Sequence, residues 1–232
     1  SKQITAVTYQ KKFEYFSLDI VLQNQLYKLK LNDNTNNNYS YISQSLKYKR
    51  IRNSKLISSK LAVDFNNYVS SNVYDDFQSL SFNHQYINTF NEKHNSPTIN
   101  VRTKIHLASN ATIPIFEKKY LGGDDFVRGY EPKTFLNDTQ VIDKLKFDNY
   151  IFTSIQFEIP WFKKNTFKTN IIFFADQALG SNQYNSYDIN NRIIGYGFGY
   201  NVLTNDNMQF DIHFGLNKYH NQVIHFMVKR NV

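Results

Sequence analysis

From residue 150 to 229 the sequence alternates with a period of two, and one face of that alternation carries no charge in five successive segments. Ile151, Thr153, Ile155, Phe157, Ile159 and Trp161 share a face against Phe152, Ser154, Gln156 and Glu158. After Lys163–Lys164–Asn165–Thr166, Phe167, Thr169, Ile171, Phe173 and Ala175 oppose Lys168, Asn170, Ile172, Phe174 and Asp176. Ile194, Tyr196, Phe198, Tyr200 and Val202 alternate with Gly195, Gly197, Gly199 and Asn201. Met208, Phe210, Ile212, Phe214 and Leu216 alternate with Gln209, Asp211, His213 and Gly215, and Ile224, Phe226 and Val228 with Val223, His225, Met227 and Lys229. Successive side chains of a strand point to opposite faces, so this period specifies β-strands with one apolar surface.

A soluble sheet alternates too. Three further features favour a barrel that crosses a membrane. The strands are near the ~9–11 residues that span a bilayer, aromatics cluster towards strand ends, and short turns alternate with long loops. Mean hydropathy is −0.53, and the longest uncharged apolar run, Ile171 to Ala175, has five residues. That is far below the roughly 20 apolar residues of a spanning helix, but only alternate residues of a barrel strand meet lipid. We therefore expect an all-β fold, a transmembrane antiparallel β-barrel.

Upstream the same period continues less sharply. Val101, Thr103, Ile105 and Leu107 alternate with Arg102, Lys104 and His106. Leu61, Val63 and Phe65 alternate with Lys60, Asp64 and Asn66, and Phe16, Leu18, Ile20 and Leu22 with Ser17, Asp19 and Gln23. Further strands are expected near 40–51, 77–90 and 2–12, giving ten or eleven in all. We read 1–232 as one barrel domain, incomplete at its N-terminus, in which 110–149 is a long loop folding into the lumen. Loops of that length are usually functional.

Other function classes leave little trace. The chain has no cysteine, which excludes thiolate metal sites and disulfides, and its six histidines fall in no ligand spacing. No metal or cofactor is expected. The net charge of +8 comes from scattered lysines and arginines without a base-reading motif, so we expect no nucleic-acid partner. Gly195, Gly197 and Gly199 alternate within a strand and do not join a strand to a helix, which speaks for a crowded lumen and not a phosphate loop. No G-x-S-x-G or Ser/His/Asp arrangement marks a catalyst. A passive porin, an outer-membrane hydrolase or a soluble ligand-binding sandwich remain open on these grounds.

Inside the long loop stands Tyr120-Leu-Gly-Gly-Asp-Asp-Phe-Val-Arg-Gly-Tyr130, preceded by Ile113-Pro-Ile-Phe-Glu117. The segment resembles the signature of the outer membrane protein 85 superfamily through Leu121, Gly122, Gly123, Val127, Arg128, Gly129 and Tyr130. Bacterial BamA, the two-partner secretion translocators, the mitochondrial sorting-and-assembly barrel and the chloroplast import channel belong to it. Phe157-Glu158-Ile159-Pro160 resembles the family's acidic element on the following strand. Phe174-Ala175-Asp176 resembles its F-x-D-x-G element, with Ala178 in place of glycine.

The resemblance implies a barrel of about 16 strands, whose remaining strands lie upstream or on a second polypeptide. It implies that Arg128 turns into the lumen to meet Glu158 and Asp176. It implies a lateral seam along the last strand, Val223, Ile224, His225, Phe226, Met227 and Val228. The function expected first is insertion of β-barrel proteins, with membrane lipid, unfolded barrel precursors and accessory assembly subunits as partners. The alternative is a polypeptide-translocating pore for two-partner secretion or organelle import. Asn221-x-Val223-x-x-Phe226-x-Val228 resembles an organellar targeting pattern, so a mitochondrial outer membrane is expected ahead of a Gram-negative bacterial or plastid one.

Overall fold

The computed structural model describes residues 2–12, 16–30, 38–70, 76–91, 96–109, 118–131, 145–164, 166–182, 187–189, 192–205 and 208–230. Six strands precede the long loop: β1 (Lys2–Lys12), β2 (Phe16–Lys30), β3 (Asn38–Asn53), β4 (Ile57–Ser70), β5 (Phe77–Thr89) and β6 (Thr98–Ala108). Two-residue strands β7 (Lys119–Tyr120) and β8 (Lys146–Phe147) pair within it. Five strands follow: β9 (Asn149–Lys163), β10 (Phe167–Ser181), β11 (Ile193–Thr204), β12 (Met208–Asn217) and β13 (Gln222–Arg230).

Eleven strands form one antiparallel sheet in sequence order, with β9 closing directly onto β6 across the loop. Every neighbour pair is antiparallel, so each connection is a hairpin or a loop between adjacent strands. The turns at β3–β4 and β9–β10 are short, whereas β6–β9 spans residues 109–148. Seven of the eleven strands exceed the expected length, reaching 16 residues in β3, whereas β1, β6, β12 and β13 fall within it.

The outer face is apolar and exposed. Leu46, Phe65 and Leu80 lie in one cross-strand row of β3, β4 and β5, and all three are exposed. Phe173, Phe198, Phe214 and Ile224 form a second row across β10 to β13, also exposed, and the Phe198 and Phe214 rings stack with centroids 5.1 Å apart. Ile155 and Phe226 share this face. The opposite face holds Ser154, Asn170, Asp176, Asn201, Asp211 and His213, all buried. Asp211 accepts a hydrogen bond from Asn201 Nδ2 at 2.7 Å, and Lys229 Nζ lies 3.8 Å from it, so both charges sit inside. An apolar outside around a polar inside is the wall of a transmembrane β-barrel.

One local correction applies to the alternation read from β9. Thr169 pairs with Phe162 but Asn170 pairs with Pro160, which leaves Trp161 as the extra residue of a bulge. Pro160 has no N–H to give the ladder, and the extra residue restores pairing beyond it. Phe162 thereby joins Trp161 among the exposed apolar residues.

The two faces differ in what they tolerate. Phe198→Arg and Phe226→Arg should each lower stability by about 2–4 kcal/mol near the membrane midplane, whereas Asn83→Arg on the inner face should change it little. Denaturant unfolding of the refolded full-length protein in lipid bilayers checks this. Equal losses at all three positions would contradict the assigned faces.

Candidate functional site

The loop returns to the inner wall as a compact turn. Leu121 N donates to Leu145 O (2.9 Å), Val127 N to Leu121 O (3.1 Å), and Gly123 N to Val127 O (3.2 Å). Leu121 and Val127 are fully buried, in a cluster with Tyr150 and Phe152 of β9, Ala178 of β10 and Ile193 of β11. Phe126 packs edge-on against both Tyr150 and Phe152, at 5.2 and 5.5 Å. Tyr120 closes the turn by donating from its hydroxyl to Glu131 O at 2.8 Å. The apolar motif residues thus anchor the loop, and the polar ones are carried inward with them. Segments 110–117 and 132–144 of the loop, including Ile113 to Glu117, lie outside the described residues.

Arg128 is the centre of the site, with 1% of its surface exposed. Its Nε donates to Asp176 Oδ2 at 2.7 Å and its Nη2 to Asp176 Oδ1 at 2.9 Å, a bidentate fork. Its Nη1 donates to Gln156 Oε1 at 2.6 Å, and Nη2 also reaches Ser154 Oγ at 3.2 Å. The Arg128 backbone N–H adds a bond to Asp176 Oδ2 at 3.0 Å. Phe174 lies beneath the guanidinium, its ring centroid 3.7 Å from Cζ. A desolvated ion pair is costly unless its geometry and remaining hydrogen bonds are good, and this one has both. Lysine has neither the planar fork nor the stacking face.

Glu158 is not a direct partner of Arg128, contrary to expectation. It receives Gln156 Nε2 at 2.8 Å, so it joins the guanidinium at one remove. The register explains this. Asp176 pairs with Ser154, and Glu158 lies four residues further along β9, roughly 13 Å at the usual strand rise.

Two glycines let the backbones meet. Gly129 has φ +104°, a conformation that side-chain-bearing residues rarely adopt, and a Cβ there would fall 2.6 Å from Leu216 O. A Cβ on Gly195 would overlap the Arg128 carbonyl outright. Asn217 Nδ2 donates to Gly129 O at 3.1 Å, completing the join to β12.

The tip makes a second polar contact. Asp124 lies 3.4 Å from His213 Nδ1 on β12 and 3.5 Å from His225 Nδ1 on β13. Burial alone would raise the Asp124 carboxyl, but hydrogen bonds and charge from both histidines hold it well below its usual range. Lys104 Nζ of β6 donates to Asp125 O at 2.7 Å and sits 4.4 Å over the Phe126 ring. Burial, first of all, pushes the Tyr120 and Tyr130 phenols up to about 12, so both stay neutral. Among the described residues no cluster of His, Asp and Glu could hold a metal ion.

The structure therefore brings together Gly122, Gly123, Val127, Arg128, Gly129 and Tyr130 of the loop with Phe174 and Asp176 of β10. The strand read as a seam, Val223 to Val228, lies in β13; among the described residues it pairs only with β12 and forms one edge of the sheet. Ser154, Gln156, Asn217 and the Asp124–histidine contact were not singled out from the sequence. The single available signal was their position on the inward phase of the alternation.

No protein-family model matches the sequence, and no curated protein sequence matches it. The fold does have solved counterparts. CdiB from Escherichia coli superposes with a TM-score of 0.72 at 11% identity, over 98% of this chain and 44% of that one. CdiB from Acinetobacter baumannii gives 0.51 at 13% identity, over 98% of this chain and 50% of that one. The chain thus spans about half the length of these proteins, and it shares the β-barrel fold of the part of them that it covers.

Arg128→Ala should destabilise the protein by about 3–5 kcal/mol, because Asp176 is left buried and unpaired. Arg128→Lys should restore only a minor part, and adding Asp176→Asn to Arg128→Ala should recover stability by removing the stranded charge. Thermal unfolding of the full-length protein in bilayers measures all three. A lysine variant as stable as the parent would contradict the fork.

Proposed function

We propose that the chain is part of the barrel of a polypeptide-translocating pore of the two-partner secretion type, set in a Gram-negative outer membrane. The observation that supports this best is the superposition on E. coli CdiB, a two-partner secretion transporter, over nearly all of this chain. The inner face fits the role. It is polar, and a loop anchored by Leu121, Val127 and Arg128 occupies the part of it formed by β9 to β12. A loop held this way fills a lumen at rest and must shift for a chain to pass. The partner on this reading is a secreted polypeptide.

The first expectation, an insertase in a mitochondrial outer membrane with accessory assembly subunits, draws no support from these structural counterparts. The pore reading does not require the edge of β13 to open. It requires only that the eleven strands be continued by others until the sheet closes, since hydrocarbon tolerates no unpaired backbone.

Depletion of the full-length protein from its own cells separates the two functions. A translocating pore predicts loss of one or a few secreted polypeptides, with the general complement of outer-membrane barrels unchanged. A broad fall in barrel proteins, with secretion intact, would overturn the proposal.

A further inference from the structure

The inner face of β3 to β6, which meets the docked loop only at its β6 margin among the described residues, carries Lys47, Lys49, Lys60, Arg102 and Lys104 against one described carboxylate, Asp64. The outward row Leu46, Phe65 and Leu80 sets the phase of β3, β4 and β5. The intervening residues therefore face the lumen. Lys47 pairs in register with Asp64. In the next row towards the short turns Lys49, Ala62, Asn83 and Lys104 lie side by side, and Lys60, Gln85 and Arg102 follow. Small residues at Ala62 and Asn83 leave a groove of about 290 Å³ framed by Lys49, Lys60, Arg102 and Lys104, with no carboxylate among the described residues that line it.

On this side Asp64 and Asp19 stand in register with Lys47 and Lys49, and the acidic groups on the β9–β13 side are engaged. Asp176 holds Arg128, Asp124 faces His213 and His225, Asp211 receives Asn201 and Gln209, and Glu158 receives Gln156. The short-turn mouth repeats the sign of the groove. Lys163, Lys164 and Lys168 line a recess of about 750 Å³ there, again without a carboxylate among the described residues.

Low-dielectric walls lined by one sign of charge concentrate the opposite sign between them, and rings of lysine and arginine favour anions in pores. We infer that the β3–β6 wall is a track for polypeptide segments rich in aspartate and glutamate, which pass along it beside the docked loop. This rests on the translocation reading and adds the chemistry of the passenger. Lys49 and Lys60 are exposed in the groove and take no part in the Arg128 site, so they can be changed without disturbing the loop.

The test uses the full-length protein in planar bilayers, with poly-L-glutamate and poly-L-lysine as probes. The track predicts an anion-preferring conductance that polyglutamate blocks and polylysine does not. In the double variant Lys49→Gln, Lys60→Gln the block should weaken about tenfold while folding is unchanged, since exposed charges contribute little to stability. A conductance blocked equally by both polymers overturns the track and leaves the pore reading standing. So does a polyglutamate block that the double variant does not alter. Absence of any conductance from folded protein overturns both.

Discussion

The bidentate pair between Arg128 and Asp176 joins two levels of this structure, the wall and the loop, through a buried pair of charges. Asp176 belongs to the wall and Arg128 to the loop, and each would be a stranded charge without the other. Around the pair the arrangement is over-determined. Ser154 and Gln156 occupy further donors, Phe174 covers one face of the guanidinium, and Gly195 leaves room for the Arg128 carbonyl. Such a site has one favourable geometry. The loop is therefore placed by the wall, and its departure from the wall requires the whole set of contacts to break together.

The wall owes its form to lipid. Backbone groups in hydrocarbon must be paired, so long antiparallel strands are the economical answer, and their outer side chains must be apolar. That division leaves the interior free to carry polar and charged residues without harming membrane stability. The chain uses this freedom unevenly. The β9–β13 side receives the loop through paired charges and hydrogen bonds, whereas the β3–β6 side displays lysine and arginine.

Much of this was legible from alternation alone. Ile155, Phe173, Phe198 and Phe226 were placed outside, because one face of each of the five alternating segments between 151 and 228 is uncharged. The loop signature identified Arg128 and Asp176 because their residue types recur in a recognisable spacing. Glu158 was misplaced for a reason no spacing reveals, since reach across a sheet depends on register, and register is set by pairing with β10. Gln156, which bridges the gap, looks like any polar inward residue in sequence. The bulge at Trp161 was likewise hidden, although Pro160 was its warning. The histidines at 213 and 225 meet Asp124 across roughly ninety to a hundred residues of chain, a distance over which local pattern carries no information.

The central claim is that polypeptide passes through the lumen of this barrel and does not enter the membrane at its edge. The most direct measurement places a photo-crosslinking residue at Asn83 inside the wall, at Phe198 on the lipid face and at Ile224 on the edge strand, in cells where a secreted polypeptide is stalled during export. The account predicts crosslinks from Asn83 to the stalled chain and none from Phe198 or Ile224. Crosslinks to membrane-protein precursors at Ile224, with Asn83 silent, would contradict it.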